Sequence, residues 1–232
     1  MSAHPSPPGL TIDLIVLAGG RGSRLGGALK PAVEVAGRTL LSRVLDARPV
    51  ARHAVIVGPP AARPAADDQP SDALIWALED PPFGGPVAGI AAGLTALASN
   101  VDEPAGWLLV LACDLPWGAD AARLLAAAAS ALETANETAN APTVDGVHLV
   151  DSTGRAQWLA AMYRAPALHA AVARLGDRVD GASMRQLLAG LHLDGLRDES
   201  EVGTDVDTWQ DVESSTARLN GAIQPDPRSD PE

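Results

Sequence analysis

The sequence predicts an α/β fold, a three-layer αβα sandwich built on a mostly parallel sheet, formed by one domain over about residues 11–220. Three observations predict it. Short apolar runs recur along the chain, each too short for a helix that stands alone and each bounded by turn residues. Long Ala/Leu stretches separate these runs, so strands alternate with helices. The runs are apolar at successive positions, so both faces of the sheet are covered. A length of 232 residues fits one such domain with a sizeable core.

The elements follow in order. Residues 1–10, rich in Pro and Ser, read as a disordered tail, and so does the Pro/Asp-rich end at 221–232. Ile12–Leu17 is the first strand, followed by a helix at Thr39–Ala47 and strands at Ala54–Val57 and Ala73–Ala77. Gly85–Leu97 reads as a helix, Trp107–Ala112 as a strand and Asp120–Thr134 as a further helix. The Ala/Thr/Asn patch Glu133–Pro142 ends that helix in a loop. Gly146–Tyr163 is hairpin-like around the turn signal Asp151-Ser152-Thr153-Gly154. Neither an internal repeat nor a linker divides the chain.

Composition narrows the function. Hydrophobic residues make up 47% and aromatics 3%, so the core is built from Ala, Leu and Val. A net charge of −12 argues against a surface for nucleic acid or anionic lipid. Residues 21–52 invert that balance, with seven cations against Glu34 and Asp46, which suits a small polyanion in a pocket. For Arg38 through Arg52 a solvated surface is an equal reading. The single cysteine, Cys113, excludes an intramolecular disulfide and any Cys-rich metal site, and reads as a small buried side chain. The five histidines lack metal-ligand spacing. Without a long apolar span or a charged-then-apolar leader, a soluble cytoplasmic protein with no membrane partner is expected.

Three motifs carry chemistry. In the first, Ile12–Leu17 runs into Ala18-Gly19-Gly20-Arg21-Gly22-Ser23-Arg24-Leu25-Gly26-Gly27-Ala28-Leu29-Lys30. A glycine loop at the carboxyl end of a strand is where open α/β sheets bind ligands. Its glycines admit a phosphate close to backbone N–H groups. Lys30 is the only lysine, the other cations being arginines. A compact ammonium on a flexible stem suits a phosphate oxygen that shifts during reaction. Pro31 after Lys30 excludes a Walker A loop, and Leu25 in the third glycine position excludes the dinucleotide fingerprint. The second motif is Leu108-Leu109-Val110-Leu111-Ala112-Cys113-Asp114-Leu115-Pro116, a strand ending in one carboxylate before Pro116 stops the ladder. Taken alone, Asp114 is as readily a turn former as a ligand. The third is Glu79-Asp80-Pro81-Pro82-Phe83-Gly84-Gly85-Pro86-Val87-Ala88-Gly89-Ile90, an acid ahead of a Gly/Pro turn at a helix start.

Leu17-Ala18-Gly19-Gly20, Ser23-Arg24-Leu25-Gly26, Lys30 and the later Gly37-Arg38-Thr39-Leu40-Leu41 resemble the signature of the molybdenum cofactor guanylyltransferases. That family lies in a nucleotidyltransferase superfamily with a glycosyltransferase-A-like fold, a Rossmann-like sandwich of the nucleotide-diphospho-sugar transferase type. The distance from loop to lysine matches it, although Leu29 stands where family members often carry Asp. The resemblance implies a nucleotide site at Leu17, Ala18, Gly19, Gly20, Arg21, Gly22, Ser23, Lys30, Asp80 and Asp114, with Lys30, Arg24 and Asp114 catalytic. It implies Mg²⁺ as cofactor, held by Asp114 from the Cys-Asp-x-Pro motif and by Asp207 from Asp205-Val206-Asp207-Thr208-Trp209-Gln210-Asp211. From the residues alone, Asp207 or Thr208 also reads as the N-cap of a helix beginning at Trp209. Asp80 would accept from the nucleotide ribose, where the other reading is a helix-capping loop. Arg164 and Arg185 are the acceptor-side candidates, in segments that also read as packing.

The resemblance further implies the partners: GTP, a phosphorylated pterin acceptor, and contacts with other enzymes of cofactor biosynthesis or client enzymes. A cytidylyltransferase, a transferase acting on another phosphorylated metabolite, and a non-catalytic nucleotide sensor are the alternatives.

Overall fold

The computed structural model describes residues 10–20, 25–68, 74–138 and 143–223. Both expected tails fall almost wholly outside them. Among the described residues, seven strands form one sheet: β1 (Ile12–Leu17), β4 (Ala54–Val57), β5 (Ile75–Ala77), β6 (Trp107–Ala112), β7 (Gly146–Val150), β8 (Ala156–Arg164) and β9 (Leu193–Arg197). Their order is β5-β4-β1-β6-β8-β7-β9. The first four run parallel, β8 is antiparallel to β6 and β7, and β9 is parallel to β7. A two-stranded ribbon, β2 (Glu34–Val35) with β3 (Arg38–Thr39), stands apart from the sheet. The helices are α1 (Leu40–Leu45), α2 (Pro86–Asn100), α3 (Gly118–Thr138), α4 (Ala165–Leu175), α5 (Met184–Leu187) and α6 (Trp209–Ile223).

Strand periodicity sorts the core into the two apolar layers of an αβα sandwich. Leu14 and Val16 of β1 point to the layer that also holds Ile56, Leu109, Leu111 and the buried face of α3. Ile15 and Leu17 point the other way, among Val55, Val57, Val110, Ile90 and Leu168 under α2 and α4. Each such side chain contributes roughly 1.5–3 kcal/mol of transfer free energy. The helix α2 approaches the sheet closely because Gly93 lies over Ile15, where a Cβ would come 2.8 Å from the Ile15 methyl. No helix among the described residues is long and apolar enough to cross a membrane.

The expected elements appear with shifted bounds. The strand expected at Ala73–Ala77 begins at Ile75, Ala73 lying outside the described residues. The helix expected at Thr39–Ala47 is Leu40–Leu45, because Thr39 is its N-cap: its Oγ1 accepts from the Ser42 N–H at 3.1 Å and donates to the Ala65 carbonyl at 2.6 Å. The hairpin forms as β7–β8, and Asp151 closes its turn by accepting from the Thr153 and Arg155 N–H groups. β2, β3, β9, α4 and α5 were not expected; β9 is half exposed and polar, with little periodicity to announce it.

Arg164 sits far from the strand ends that follow β1 and β6. Arg164 was an acceptor-side candidate, yet it pairs with Trp107 at the start of β6, about 16 Å along the strand from the end that carries Asp114. Its guanidinium forks onto Glu133 at 2.9 and 3.1 Å, donates to the Val144 carbonyl and lies 4.7 Å over the Trp107 ring. Trp107 Nε1 donates to the same Glu133 at 2.7 Å. Partial burial opposes ionisation of Glu133, but the hydrogen bonds from Arg164 and Trp107 outweigh it and hold its carboxyl below the usual range. A depressed carboxylate stabilises the fold above its unfolded value and loses that contribution as pH falls through the folded one. Glu133→Gln should therefore melt below wild type at pH 7, the gap closing beneath about pH 4 in thermal melts across pH. Arg164→Ala should lower the thermal midpoint by about 2–4 °C for each kcal/mol lost and leave the KM of either substrate unchanged.

Candidate active site

Parallel register places three strand ends together. Leu17 lies opposite Val57 on one side and Ala112 on the other, so the segments after β1, β4 and β6 emerge side by side. The Ala18 N–H continues the ladder to the Val57 carbonyl at 2.7 Å, and the Cys113 N–H to the Leu17 carbonyl at 3.0 Å. Gly19 and Gly20 then turn away, Gly20 at φ +133°, a value that favours glycine. Asp114 follows directly from the end of β6.

The remaining carboxylates arrive from far along the chain. The Val206 N–H donates to the Asp114 carbonyl at 3.0 Å, which fixes Asp205 and Asp207 on either side of that contact. Val206 itself is buried in a satellite cluster with Leu25, Val33, Val35 and Leu40. The same cluster underlies the short helical turn Lys30–Ala32, begun by Lys30 and anchored by buried Pro31. Apolar packing around Val206 therefore brings Lys30 to the aspartates. Lys30 Nζ lies 2.5 Å from an oxygen of Asp114 and 2.5 Å from an oxygen of Asp207.

The electrostatics follow from that geometry. Burial disfavours the Lys30 ammonium, but the charge and hydrogen bond of Asp114, then those of Asp207, outweigh it and push its pKa above the ordinary value. Confinement by the surrounding protein, then the charges of Asp114 and Asp207, raise the Asp205 carboxyl above the ordinary range, although its side chain reaches solvent. Burial pushes the Cys113 thiol up, which leaves it inert as a nucleophile. Asp211 is structural: its carboxylate accepts from Asp207 N, Thr208 N and Thr208 Oγ1 at 3.1, 2.7 and 2.8 Å. Thr208 Oγ1 in turn accepts from the Asp211 N–H, so this pair rather than Asp207 caps α6.

A cleft of about 320 Å³ opens beside these groups, lined by Leu17, Gly19, Gly20, Glu79, Phe83 and Asp114 among others. The expected residues Leu17, Gly19, Gly20, Lys30, Asp114 and Asp207 thus gather at one end of the sheet. Arg21, Gly22, Ser23 and Arg24 lie outside the described residues. Glu79 lines the cleft, and Asp80 lies beside it in an adjoining groove that Glu79, Leu78, Thr95 and Asp180 also line. Arg185 is exposed on α5, beyond a segment whose Gly181 N–H donates to the Gly84 carbonyl at the cleft rim. Sequence reading missed Glu79, Phe83 and Asp205.

Asp114, Asp205 and Asp207 offer oxygens that all lie within 4.8 Å of one another. Three carboxylates face one ammonium, which leaves two negative charges (three minus one) for another cation to offset. Hard carboxylate oxygens and that residual charge fit a divalent ion such as Mg²⁺.

Residues 14–195 match the family model of the MobA-like NTP transferase domain. A molybdenum cofactor guanylyltransferase of Rhodopseudomonas palustris (strain BisB5) is 37% identical over 121 residues, 50% of this chain and 52% of that protein. One from Pseudomonas putida is 38% identical over 108 residues, 45% of this chain and 50% of that protein. The chain spans about half the length of these curated relatives. The crystal structure of molybdopterin-guanine dinucleotide biosynthesis protein A from Archaeoglobus fulgidus superposes with a TM-score of 0.63 at 18% identity, over 90% of this chain and 99% of that one. The 2-C-methyl-D-erythritol 4-phosphate cytidylyltransferase of Thermus thermophilus gives 0.57 at 16% identity, over 91% and 98%. At these identities the likeness is one of fold.

Proposed function

The chain belongs to the MobA-like NTP transferase family, and we propose that it moves GMP from GTP onto the terminal phosphate of molybdopterin or its metal-loaded form, with release of pyrophosphate. One observation carries this reading: Lys30 lies 2.5 Å from Asp114, which lines the same cleft as Gly19 and Gly20. The guanylyltransferase names of the relatives support the choice of nucleotide and acceptor.

Under this reading the triphosphate lies along the strand-end glycines, whose missing side chains let backbone N–H groups approach its oxygens. Lys30 exchanges its aspartate partners for phosphate oxygens and offsets charge on the departing pyrophosphate, a motion its flexible stem permits. Arg24 shares that role. An acceptor phosphate oxygen forms a bond to the α-phosphorus while the bridging bond to the β-phosphate breaks, its electron pair leaving with pyrophosphate. The nucleophile is already an anion, so no side chain has to remove a proton, in keeping with the inert Cys113. Asp114 and Asp207 would hold the divalent ion beside Asp205, and when bound it neutralises phosphate oxygens and orients the two substrates. Fixed positioning of two polyanions supplies about 7–11 kcal/mol of the barrier. Glu79 takes the nucleoside-facing place that the resemblance gives to Asp80, and Arg185 is the acceptor-side candidate.

Pyrophosphate release measured with each of the four NTPs, a divalent cation and a molybdopterin-bearing acceptor tests the reading. GTP should turn over at least ~10-fold faster than CTP, as expected of a pocket that hydrogen-bonds one base. Faster release from CTP would make the chain a cytidylyltransferase. Stimulation by hexose 1-phosphates would point to a sugar-nucleotide synthase. GTP binding without release under any acceptor would leave a sensor.

A further inference from the structure

We propose that Phe83 is the stacking platform for the nucleobase in the cleft, an assignment that rests on the nucleotidyltransferase reading and extends it to a residue of the third motif that had no role. Phe83 is the only phenylalanine in a chain with 3% aromatics. Its side chain lines the cleft yet is 61% exposed, so its ring gains little from burial. Its backbone sits at φ +69°, a conformation that a bulky residue adopts only against steric resistance and that glycine adopts freely. Two residues later the chain does use glycine for positive φ, at Gly85. Backbone strain of this kind collects at ligand sites.

The turn is held rather than loose. The Phe83 N–H donates to Glu79 Oε1 at 3.1 Å, and the Gly84 carbonyl accepts from the Gly181 N–H at 2.9 Å. The ring is thereby displayed from a backbone pinned on both sides. Within the cleft, the backbone of Gly19 and Gly20 suits phosphates and Asp114 a cation that accompanies them, while Leu17, Val57, Pro86 and Gly89 form apolar wall. A nucleotide whose phosphates take the first set has its base left for the second, where a flat aromatic face completes an apolar slot. Stacking of this kind accepts every base, and a purine, with the larger face, gains more from it.

Equilibrium binding of GTP and of inorganic tripolyphosphate to the full chain, with a divalent cation present, tests the assignment in wild type, Phe83→Ala, Phe83→Trp and Phe83→Gly. Phe83→Ala should weaken GTP binding by about 5- to 100-fold and leave tripolyphosphate binding unchanged, whereas Phe83→Trp should retain GTP. Phe83→Gly should lose GTP affinity while its thermal midpoint holds or rises, which separates ligand contact from fold. Phe83→Ala binding GTP within twofold of wild type, losing tripolyphosphate equally, or losing only the affinity for a pterin-bearing acceptor would each overturn the proposal while the nucleotidyltransferase reading stands. A wild-type chain that binds no nucleotide overturns both.

Discussion

Lys30→Ala is expected to slow nucleotidyl transfer by at least about 10²-fold at saturating GTP and divalent cation, the loss typical of one preorganised electrostatic stabiliser. Two features make the effect large. Only one lysine exists in the chain, so no second ammonium can substitute. The side chain is also 13% exposed and enclosed by carboxylates, so neither water nor a mobile surface cation replaces it well. The deficit belongs in kcat, because charge on the leaving pyrophosphate grows toward the transition state. A second consequence concerns stability. Without the ammonium, Asp114, Asp205 and Asp207 face one another uncompensated, and breaking one partner of an ion pair is more costly than never having made it. The variant should melt below wild type in chelator and regain much of the difference in millimolar Mg²⁺, read by thermal melts with and without metal. Turnover within a few-fold of wild type would show that the lysine does not act on the phosphates.

Asp114→Asn should lower transfer by about 10²- to 10³-fold, because one change removes both a charged partner of Lys30 and a carboxylate of the proposed cation site. The fold should survive. The substitution is nearly isosteric, and the bond that organises the loop runs from Val206 N to the Asp114 main-chain carbonyl, which asparagine keeps. Steady-state kinetics in rising Mg²⁺ check it: the variant should need more metal for half-maximal rate and stay slow when saturated. A variant matching wild type at high Mg²⁺ would confine Asp114 to metal recruitment and remove it from the chemistry.

The parallel half of the fold was legible because its strands are buried on both faces and separated by Ala/Leu helices, so β1, β4 and β6 announce themselves as apolar runs. The Lys30 and Asp114 candidates were legible for a related reason: each stands out against its local background, one as a lone ammonium, the other as a charge closing an apolar strand. What stayed hidden depends on long-range contact. Nothing near Asp205 in the chain reveals that Val206 bonds to Asp114 or packs with Leu25 and Val33. The place of Arg164 was hidden too, because an arginine ending a strand looks alike at either end of a sheet, and only the antiparallel pairing of β8 with β6 sets it beside Trp107. Glu79 and Asp80 are adjacent acids, and the sequence does not say which of the two faces the cleft.

A crystal structure with Mg²⁺ and a non-hydrolysable GTP analogue tests the central claim most directly. The triphosphate should lie between Gly19–Gly20 and Lys30, with Lys30 Nζ moved from Asp207 onto phosphate oxygens and the cation at Asp114. A triphosphate bound away from this cleft, or one bound within it while Lys30 remains clasped by both aspartates, would contradict it.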